Sequence, residues 1–381
     1  MQIYRQHHRA PLVGVTGSNG KTSTKEMTAS ILGETKNVLK NKGNFNNLIG
    51  VPLTLLSLRP EHEVAVVEMG INIDGEMERL VEISGPTAGL ITNIQPAHLE
   101  GLRSLDHILE EKGKLLTELA PSGLAVINLD DGLVPTLLKR IKARTVVYSL
   151  RDHGADVYLA SDVKSEDGAS SFQLAVGKDV VSVRLPVLGL HHVQNAAAAA
   201  AVAYGMGESP EAIVTGLAKH RPVTHRMQMF RLRDGTVLVD DTYNANPMST
   251  LAAVEAVSAA CGDGIFIAVL GEMKELGPES ARLHREVGRR IGALGVNRLI
   301  VYGGPAAEII EGYKDAGGRS AACVQGESHD EIVKLLCESR PERAWILVKG
   351  SRSMAMERVV EGLLAEDAGQ KSETPGTELG A

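Results

Sequence analysis

Cysteine is almost missing from the 381-residue sequence: Cys261, Cys323 and Cys337 are too few and too scattered for a disulfide framework or a zinc site. Such sparing use suits a reducing compartment, and a cytoplasmic location is the expectation. Aromatic residues are only 3% of the chain, so its core must be built from Val, Leu, Ile and Ala. No apolar run reaches the roughly 18 residues of a membrane span, and the opening Met-Gln-Ile-Tyr-Arg-Gln-His-His lacks the apolar stretch of a signal peptide. His7-His8-Arg9 reads as an exposed segment without a role. A basic excess is also lacking. Forty Lys+Arg face 47 Asp+Glu, a net charge of −7, which argues against a general nucleic-acid or anionic-membrane binder. What is present, 43% apolar and 23% charged residues, suits a chain that buries a full core. At about 150 residues per domain, the length allows two or three domains.

Short β-branched runs alternate with helical patterns almost from the start. Leu12–Thr16, Val64–Glu68, Gly89–Ile94 and Ala125–Leu129 read as buried strands. Thr22–Leu32, Gly75–Ile83 and Leu105–Leu119 read as the helices between them, which implies a mostly parallel, helix-covered α/β sheet. From about Thr145 to Pro186 the pattern shifts to short alternating strands with an Asp167-Gly168 turn, an expected antiparallel appendage. Asn195–Tyr204 carries six consecutive alanines and reads as a close-packed helix. A boundary is expected near Lys219–Arg226, followed by a hairpin over Met227–Asp241 that turns at Asp234-Gly235. Then βα alternation resumes at Ile265–Leu270, Arg298–Tyr302 and Trp345–Val348. The expected division is 1–222 for a larger α/β domain, 223–365 for a smaller Rossmann-like α/β domain, and a disordered tail over 366–381.

Gly14-Val-Thr-Gly-Ser-Asn-Gly-Lys-Thr22 joins the first strand to the first helix. Glycines there let the backbone turn its N–H groups and the helix N-terminus toward an anion. Gly17, Ser18, Asn19, Gly20, Lys21, Thr22 and Ser23 are the candidate phosphate cradle, with Lys21 reaching the β/γ-phosphates and the Thr22 hydroxyl on Mg²⁺. The strict G-x-x-x-x-G-K-[ST] pattern is not met, because its first glycine falls on Val15. A glycine-rich turn with an exposed lysine is the plain alternative. Glu68 ends an apolar strand at the edge that faces this loop, where a carboxylate serves as a hard Mg²⁺ ligand or as a merely solvated strand end. His98 follows another strand end, and Lys112 reads as one more lysine on an exposed helix.

Read with the phosphate loop, five further stretches resemble the Mur ligases, the ATP-dependent amide ligases of peptidoglycan precursor synthesis. They are Lys42-Gly-Asn-Phe-Asn-Asn-Leu-Ile-Gly-Val-Pro52, Val67-Glu-Met-Gly70, Ala97-His-Leu-Glu-Gly101, Asp240-Asp-Thr-Tyr-Asn-Ala-Asn-Pro247 and Leu347-Val-Lys-Gly-Ser-Arg352. Within the family, the Gly-Asn-Phe-Asn-Asn and Tyr-Asn-Ala-Asn-Pro elements favour the activity that adds D-alanyl-D-alanine to UDP-N-acetylmuramoyl-tripeptide. The resemblance implies that His98 binds a second Mg²⁺ and that Lys112, carbamoylated by CO₂, helps to hold it. Asn195, in Gly189-Leu-His-His-Val-Gln-Asn195, would contact adenine; Arg226 would reach the γ-phosphate and Asp241 the ribose. The family usually has His-Asn where His191-His192 stands, and Pro-Gly where Thr224-His225 precedes the arginine. Asn44, Asn46, Asn47, Tyr243, Asn244, Asn246, Lys349, Ser351 and Arg352 are the implied substrate contacts.

The implied reaction activates a peptide carboxylate as an acyl phosphate, which the dipeptide amine then attacks. Lys21, two Mg²⁺ ions and Arg226 would act as electrostatic clamps, with no protein nucleophile. Small-molecule substrates, no nucleic-acid partner and a monomer are expected. Family members carry an N-terminal domain that binds the acceptor's uridine nucleotide, whereas 13 residues precede Gly14 here. The sequence is then either a fragment or lacks that grip, and in the second case a weaker Michaelis constant for the acceptor follows. Two other readings stay open: a nucleotide-binding remnant without turnover, and a related ligase for folate or another muropeptide. A dehydrogenase is disfavoured, because Lys21-Thr22 directly after the glycines is phosphate-and-metal chemistry.

Overall fold

The computed structural model describes residues 10–95, 104–319 and 322–369. The chain divides into two compact units, Met1–Val223 and Thr224–Ala381.

In the first unit the described strands are β1 (Leu12–Thr16), β2 (Val38–Lys40), β3 (Val64–Glu68), β4 (Ala88–Ile91), β5 (Leu124–Asn128), β6 (Arg144–Ser149), β7 (Val157–Leu159), β8 (Lys164–Glu166), β9 (Ala169–Val176) and β10 (Asp179–Leu185). They form one sheet in the order β10-β9-β7-β6-β5-β4-β1-β3-β2, with β8 paired to β9. β1, β3 and β5 are buried at every residue, as apolar parallel strands covered on both faces must be. The region from Thr145 departs from the expected appendage. β6 pairs in parallel with β5, and β7 in parallel with β6, so both extend the main sheet. Antiparallel pairing begins only at β7–β9 and continues through β8–β9 and β9–β10. The alternating pattern there reflects strands at the sheet's margin with one face open, not a separate structure. The Asp167-Gly168 turn, with φ of 49° and 74°, joins β8 to β9.

The first helix, Lys21–Leu32, packs against the alanine-rich helix Leu190–Gly205. Ala196 to Ala201 are 0–1% exposed, so the absence of bulk lets the two helices approach. A third helix, Pro210–Ala218, presses so close that a Cβ on Gly216 would lie 2.3 Å from Ile31 Cα. Directly after it stands His220, 5% exposed. Burial, with a smaller push from Lys40, drives its imidazole down to about 4, against an opposing pull from Glu26.

The second unit holds β11 (Gln228–Arg231), β12 (Val237–Asp241), β13 (Phe266–Gly271), β14 (Arg298–Tyr302), β15 (Cys323–Gly326) and β16 (Trp345–Lys349), ordered β11-β12-β16-β13-β14-β15. Only β11–β12 is antiparallel among the described pairs. The helices Ser280–Gly292 and Ala307–Asp315 touch backbone to backbone. A Cβ at Gly312 would sit 1.9 Å from Arg285 O, and one at Gly288 would sit 2.0 Å from Ile309 O. The last helix spans Glu357–Gly369, so the first residues of the expected tail, from Glu366, are helical. Asp367 there accepts a hydrogen bond from the Arg233 N–H at 3.0 Å, which ties the helix back onto the unit. Residues 370–381 lie outside the described residues. The mostly parallel α/β class read from the sequence is the class observed.

Two stability measurements follow. Gly312→Ala gains about 1 kcal/mol of helix propensity yet forces two backbones apart. A net loss of about 1–3 kcal/mol in urea unfolding is expected; unchanged stability would contradict the contact. For His220, the unfolded chain takes up a proton near pH 6.5 and the folded chain only near 4. Stability contributed by neutral His220 is therefore full above about 6.5 and falls by about 3 kcal/mol as pH drops through that window. Denaturation of His220→Gln across pH 4–7 should show a correspondingly shallower acid dependence than the parent chain.

Candidate functional site

The carboxyl ends of β1, β3, β4 and β5 share one edge of the first sheet because the strands are parallel, and the chemistry-bearing residues gather there. β1 stops at Thr16 and the loop 17–20 turns into the first helix. Gly20 takes φ 80° and caps that helix with no side-chain hydrogen bond, and no acidic residue stands in the first turn. The helix N-terminus is thus left open to an external anion. Gly17 has φ 143°, and a Cβ there would lie 1.9 Å from Thr92 Oγ1; one on Gly20 would lie 2.3 Å from Asn195 Oδ1. Both glycines are compulsory. Lys21 folds back, its ammonium donating to Gly17 O at 2.8 Å and Ser18 O at 3.0 Å. These carbonyls hold the cation where a phosphate would compete for it.

The loop is clamped from its far side by the segment that follows β4. Ser18 N donates to Asn93 O, Asn19 N to Asn93 Oδ1, Thr92 Oγ1 to Asn19 O, and Ser18 Oγ to Gln95 O, at 2.6–2.9 Å. That segment is fixed in turn by Asn128 Nδ2 donating to Thr92 O at 2.7 Å and by Ile94 N donating to Asp131 at 2.9 Å. None of Thr92, Asn93, Gln95, Asn128 or Asp131 was singled out from the sequence. The available signal was a cluster of polar residues directly after each apolar strand.

Glu68, 2% exposed, closes β3. It accepts from the Thr22 hydroxyl at 2.8 Å and from the Asn46 amide at 2.8 Å, and no cationic side chain pairs with it among the described residues. Asn41, another residue passed over in the sequence, is 1% exposed and holds both backbone sides of Glu68. Its amide donates to Glu68 O and Phe45 O, and its oxygen accepts from Glu68 N. Asn47 Oδ1 accepts from Ile49 N and Gly50 N in the turn that leads into the helix Gly50–Leu55, while Asn44 is exposed. Ser23 is buried in the first helical turn.

Lys112 departs from the exposed reading. It lies on the helix Leu105–Thr117 at 2% exposure, with no hydrogen bond or ion pair to any described residue. Burial, and secondly the Lys21 ammonium, hold it well below the usual amine range. His98 lies outside the described residues. Asn195 sits on the helix Leu190–Gly205 against Gly20, next to the loop.

In the second unit, the carboxyl ends of β12 and β16 are adjacent, with Asp241 opposite Lys349. The Lys349 ammonium, 3% exposed at its side chain, donates to Asp241 Oδ2 at 2.6 Å and to Asn244 O at 2.8 Å. Arg226 stacks its guanidinium 4.1 Å from the Tyr243 ring centroid. His225 and Met227 on either side adopt φ of 62° and 51°, and His225 Nδ1 pairs with Asp240 at 2.7 Å. Ser351 Oγ accepts from Lys274 N at 2.8 Å, so Lys274 and its ion-pair partner Glu272 join this edge unannounced by the sequence reading. Asn246 caps the helix Pro247–Cys261 through a reciprocal pair with Ser249. Arg352 is solvent-facing and paired with Glu357 at 2.8 Å.

Residues 15–203 match the Mur ligase middle domain, and residues 225–352 match the Mur ligase glutamate ligase domain. The chain is 37% identical to the UDP-N-acetylmuramoyl-tripeptide–D-alanyl-D-alanine ligase of Escherichia coli over 94% of its own length and 78% of that protein's. The chain belongs to the Mur ligase family. This Mur ligase is also 33% identical to the ligase of the same name from Bacillus subtilis, over 95% of the chain and 78% of the relative. Its coordinates match the crystal structure of MurF from Acinetobacter baumannii with a TM-score of 0.86 and 32% identity, covering 95% of this chain and 78% of that one. The MurF ligase of Thermotoga maritima, crystallised with ADP, matches with a TM-score of 0.84 and 27% identity over 97% and 83%.

If the loop acts through its bare backbone, Gly20→Ala should weaken ADP binding roughly tenfold by calorimetry, since a side chain in left-handed φ costs about 1–2 kcal/mol. Adding Asn195→Ala removes the collision but leaves φ unfavourable, so affinity should not return to the parent value. Full restoration would show that Asn195, and not the backbone, set the requirement.

Proposed function

We propose that the chain is an ADP-forming amide ligase that joins D-alanyl-D-alanine to UDP-N-acetylmuramoyl-tripeptide through an acyl phosphate. The observation that carries this reading is the likeness to ligases of that name across 94% of the chain, together with an open helix N-terminus beside Lys21 and a buried carboxylate that has no cationic partner among the described residues. A structural likeness to a folylpolyglutamate synthase, at 16% identity, bears on the fold alone.

The chemical difficulty is that a carboxylate is a poor acyl donor and an anion, and it must approach a polyanion. The loop 17–20 and the first-helix N-terminus supply N–H groups to the phosphates, and Lys21 swings from Gly17 O and Ser18 O onto them. The substrate carboxylate attacks the γ-phosphorus, forming a C–O–P linkage and releasing ADP. The amine of the dipeptide then adds to the acyl carbon, phosphate leaves, and the amide remains. In this scheme Arg226, stacked on Tyr243, offers its guanidinium to the γ-phosphate and Asp241 accepts from the ribose. Asn195 serves the adenine end. Asn44, Asn46, Asn47, Tyr243, Asn244, Asn246, Lys349, Ser351 and Arg352 are candidate substrate contacts. Asn46, Asn47, Asn246 and Lys349 also hold backbone or carboxylate partners of their own, so for them orienting the site is the larger share of the role.

Two Mg²⁺ ions belong to this proposal. Glu68 and the Thr22 hydroxyl fit one of them: a buried carboxylate held, among the described residues, by neutral donors is the oxygen ligand a hard cation requires. Lys112 fits the second as a carbamate, with His98 beside it in the assignment. A buried amine disfavoured as an ammonium is the neutral nucleophile that adds to CO₂, forming an N–C bond and losing a proton. Bound metal would neutralise phosphate charge.

ADP release from the purified chain, supplied with ATP, Mg²⁺ and bicarbonate, should require both UDP-N-acetylmuramoyl-tripeptide and D-alanyl-D-alanine. ATP that stays uncleaved, or is cleaved without regard to the dipeptide, would reject the reading. Lys112→Ala should lower kcat by roughly a hundredfold, with partial return on adding short carboxylic acids that replace the carbamate oxygens.

A further inference from the structure

The phosphate loop sits at one end of the helix Lys21–Leu32, and a second cavity lies beyond the other end. It encloses about 460 Å³, within the size range of small-molecule sites. It lies entirely within the first unit, between the outer face of that helix, the edge strand β2 and the segment after the helix Pro210–Ala218. No part of the ligase scheme uses it. Its walls carry Lys36, Lys40, Lys219 and Arg221 against one lining carboxylate, Glu26.

His220 lines the same cavity at 5% exposure. Its backbone N–H donates to Leu217 O at 3.2 Å, but no described residue hydrogen-bonds its ring. A buried imidazole without a protein partner, facing an open space, is a polar group kept for something that enters that space. The surrounding charges say what. Glu26 is engaged by Lys25 at 2.7 Å and by Lys40, Glu34 by Lys219 at 2.7 Å, and Glu208 by Lys36. Glu26, Glu34 and Glu208 are therefore matched, while Arg221 has no ion-pair partner among the described residues. Lys25, Lys36, Lys40, Lys219 and Arg221 outnumber Glu26, Glu34 and Glu208, which leaves the cavity positive inside a chain of net charge −7. A metal is not the fit, since no group of three His, Cys, Asp or Glu side chains able to hold one occurs among the described residues.

We propose that this cavity is an oxyanion site separate from the nucleotide site, taking a small phosphate monoester, with Lys219 and Arg221 as its charged donors and His220 as its hydrogen-bond donor. A phosphate anion beside His220 stabilises the imidazolium, so binding and proton uptake at this residue favour each other. Lys219, His220 and Arg221 lead directly into the Val223–Thr224 boundary between the units, so the ligand immobilises the segment that enters it.

The test is imidazole NMR on the whole chain, with the His220 resonance assigned by its loss in His220→Gln. The probes are inorganic phosphate and glucose 6-phosphate, and chloride at matched ionic strength is the control. In the free chain His220 titrates at about 4. Either phosphate should move that midpoint upward by at least about one pH unit in a saturable way. The double variant Lys219→Ala/Arg221→Ala, which alters exposed side chains only, should weaken binding about tenfold or more, whereas Lys21→Ala should leave it unchanged. A midpoint that neither phosphate moves, that chloride moves equally, or that is lost in Lys21→Ala but kept in the double variant would overturn the site. Since the readout is independent of ligase turnover, its failure would leave the reading of the nucleotide site standing.

Discussion

A loop that presents backbone N–H groups to a polyphosphate cannot carry side chains on its inner surface, and most of what surrounds the loop here follows from that constraint. Gly17 and Gly20 provide the bare, left-handed backbone, and the space their missing side chains vacate is filled by Thr92 and Asn195. A loop without side-chain bulk has little to hold it, so its stiffness is borrowed from a neighbouring strand end. Asn93, Thr92 and Gln95 grip Ser18 and Asn19, and in turn Asn128 grips Thr92 and Asp131 grips Ile94. The site is rigid because three adjacent parallel strands end at one edge and each contributes polar anchors there.

The same edge concentrates charge that the first unit does not neutralise for itself. Among the described residues Glu68 is buried without a cation and Lys112 without an anion, while Lys21 rests on carbonyls. Each is costly alone. In the proposed reading their electrostatic complement arrives with the substrates: phosphate for the lysine, metal for the carboxylate, carbon dioxide for the buried amine. In the second unit the pattern differs. Lys349 and Asp241 neutralise each other, and Arg226 is braced on Tyr243, so that edge is a preassembled polar surface.

Much of this was legible in the residues. β1, β3 and β14 have the bounds read from the sequence, with polar residues only at their ends, because a strand covered on both faces leaves no room for a polar residue inside it. The short strands β2 and β15 escaped notice for the opposite reason: at the sheet edge, half-exposed residues such as Val38 and Cys323 give a weak periodic signal. β6 and β7 were misassigned as antiparallel because pairing direction depends on where the connecting chain returns, which alternation cannot encode.

Sequence alone determined the α/β class and the glycine-rich strand–loop–helix turn with Lys21 and Thr22 directly after it, since each is set by local spacing and by glycines that no other residue can replace. Only the tertiary structure decided that Lys112 is buried and not solvated, that Asn41 holds the backbone of Glu68, and that Asn246 is a helix cap. It alone assembled Glu26, Lys40 and His220 around one cavity. Burial and partnership belong to residues far apart in the chain, and dielectric surroundings, unlike propensity, exist only once those residues have been brought together.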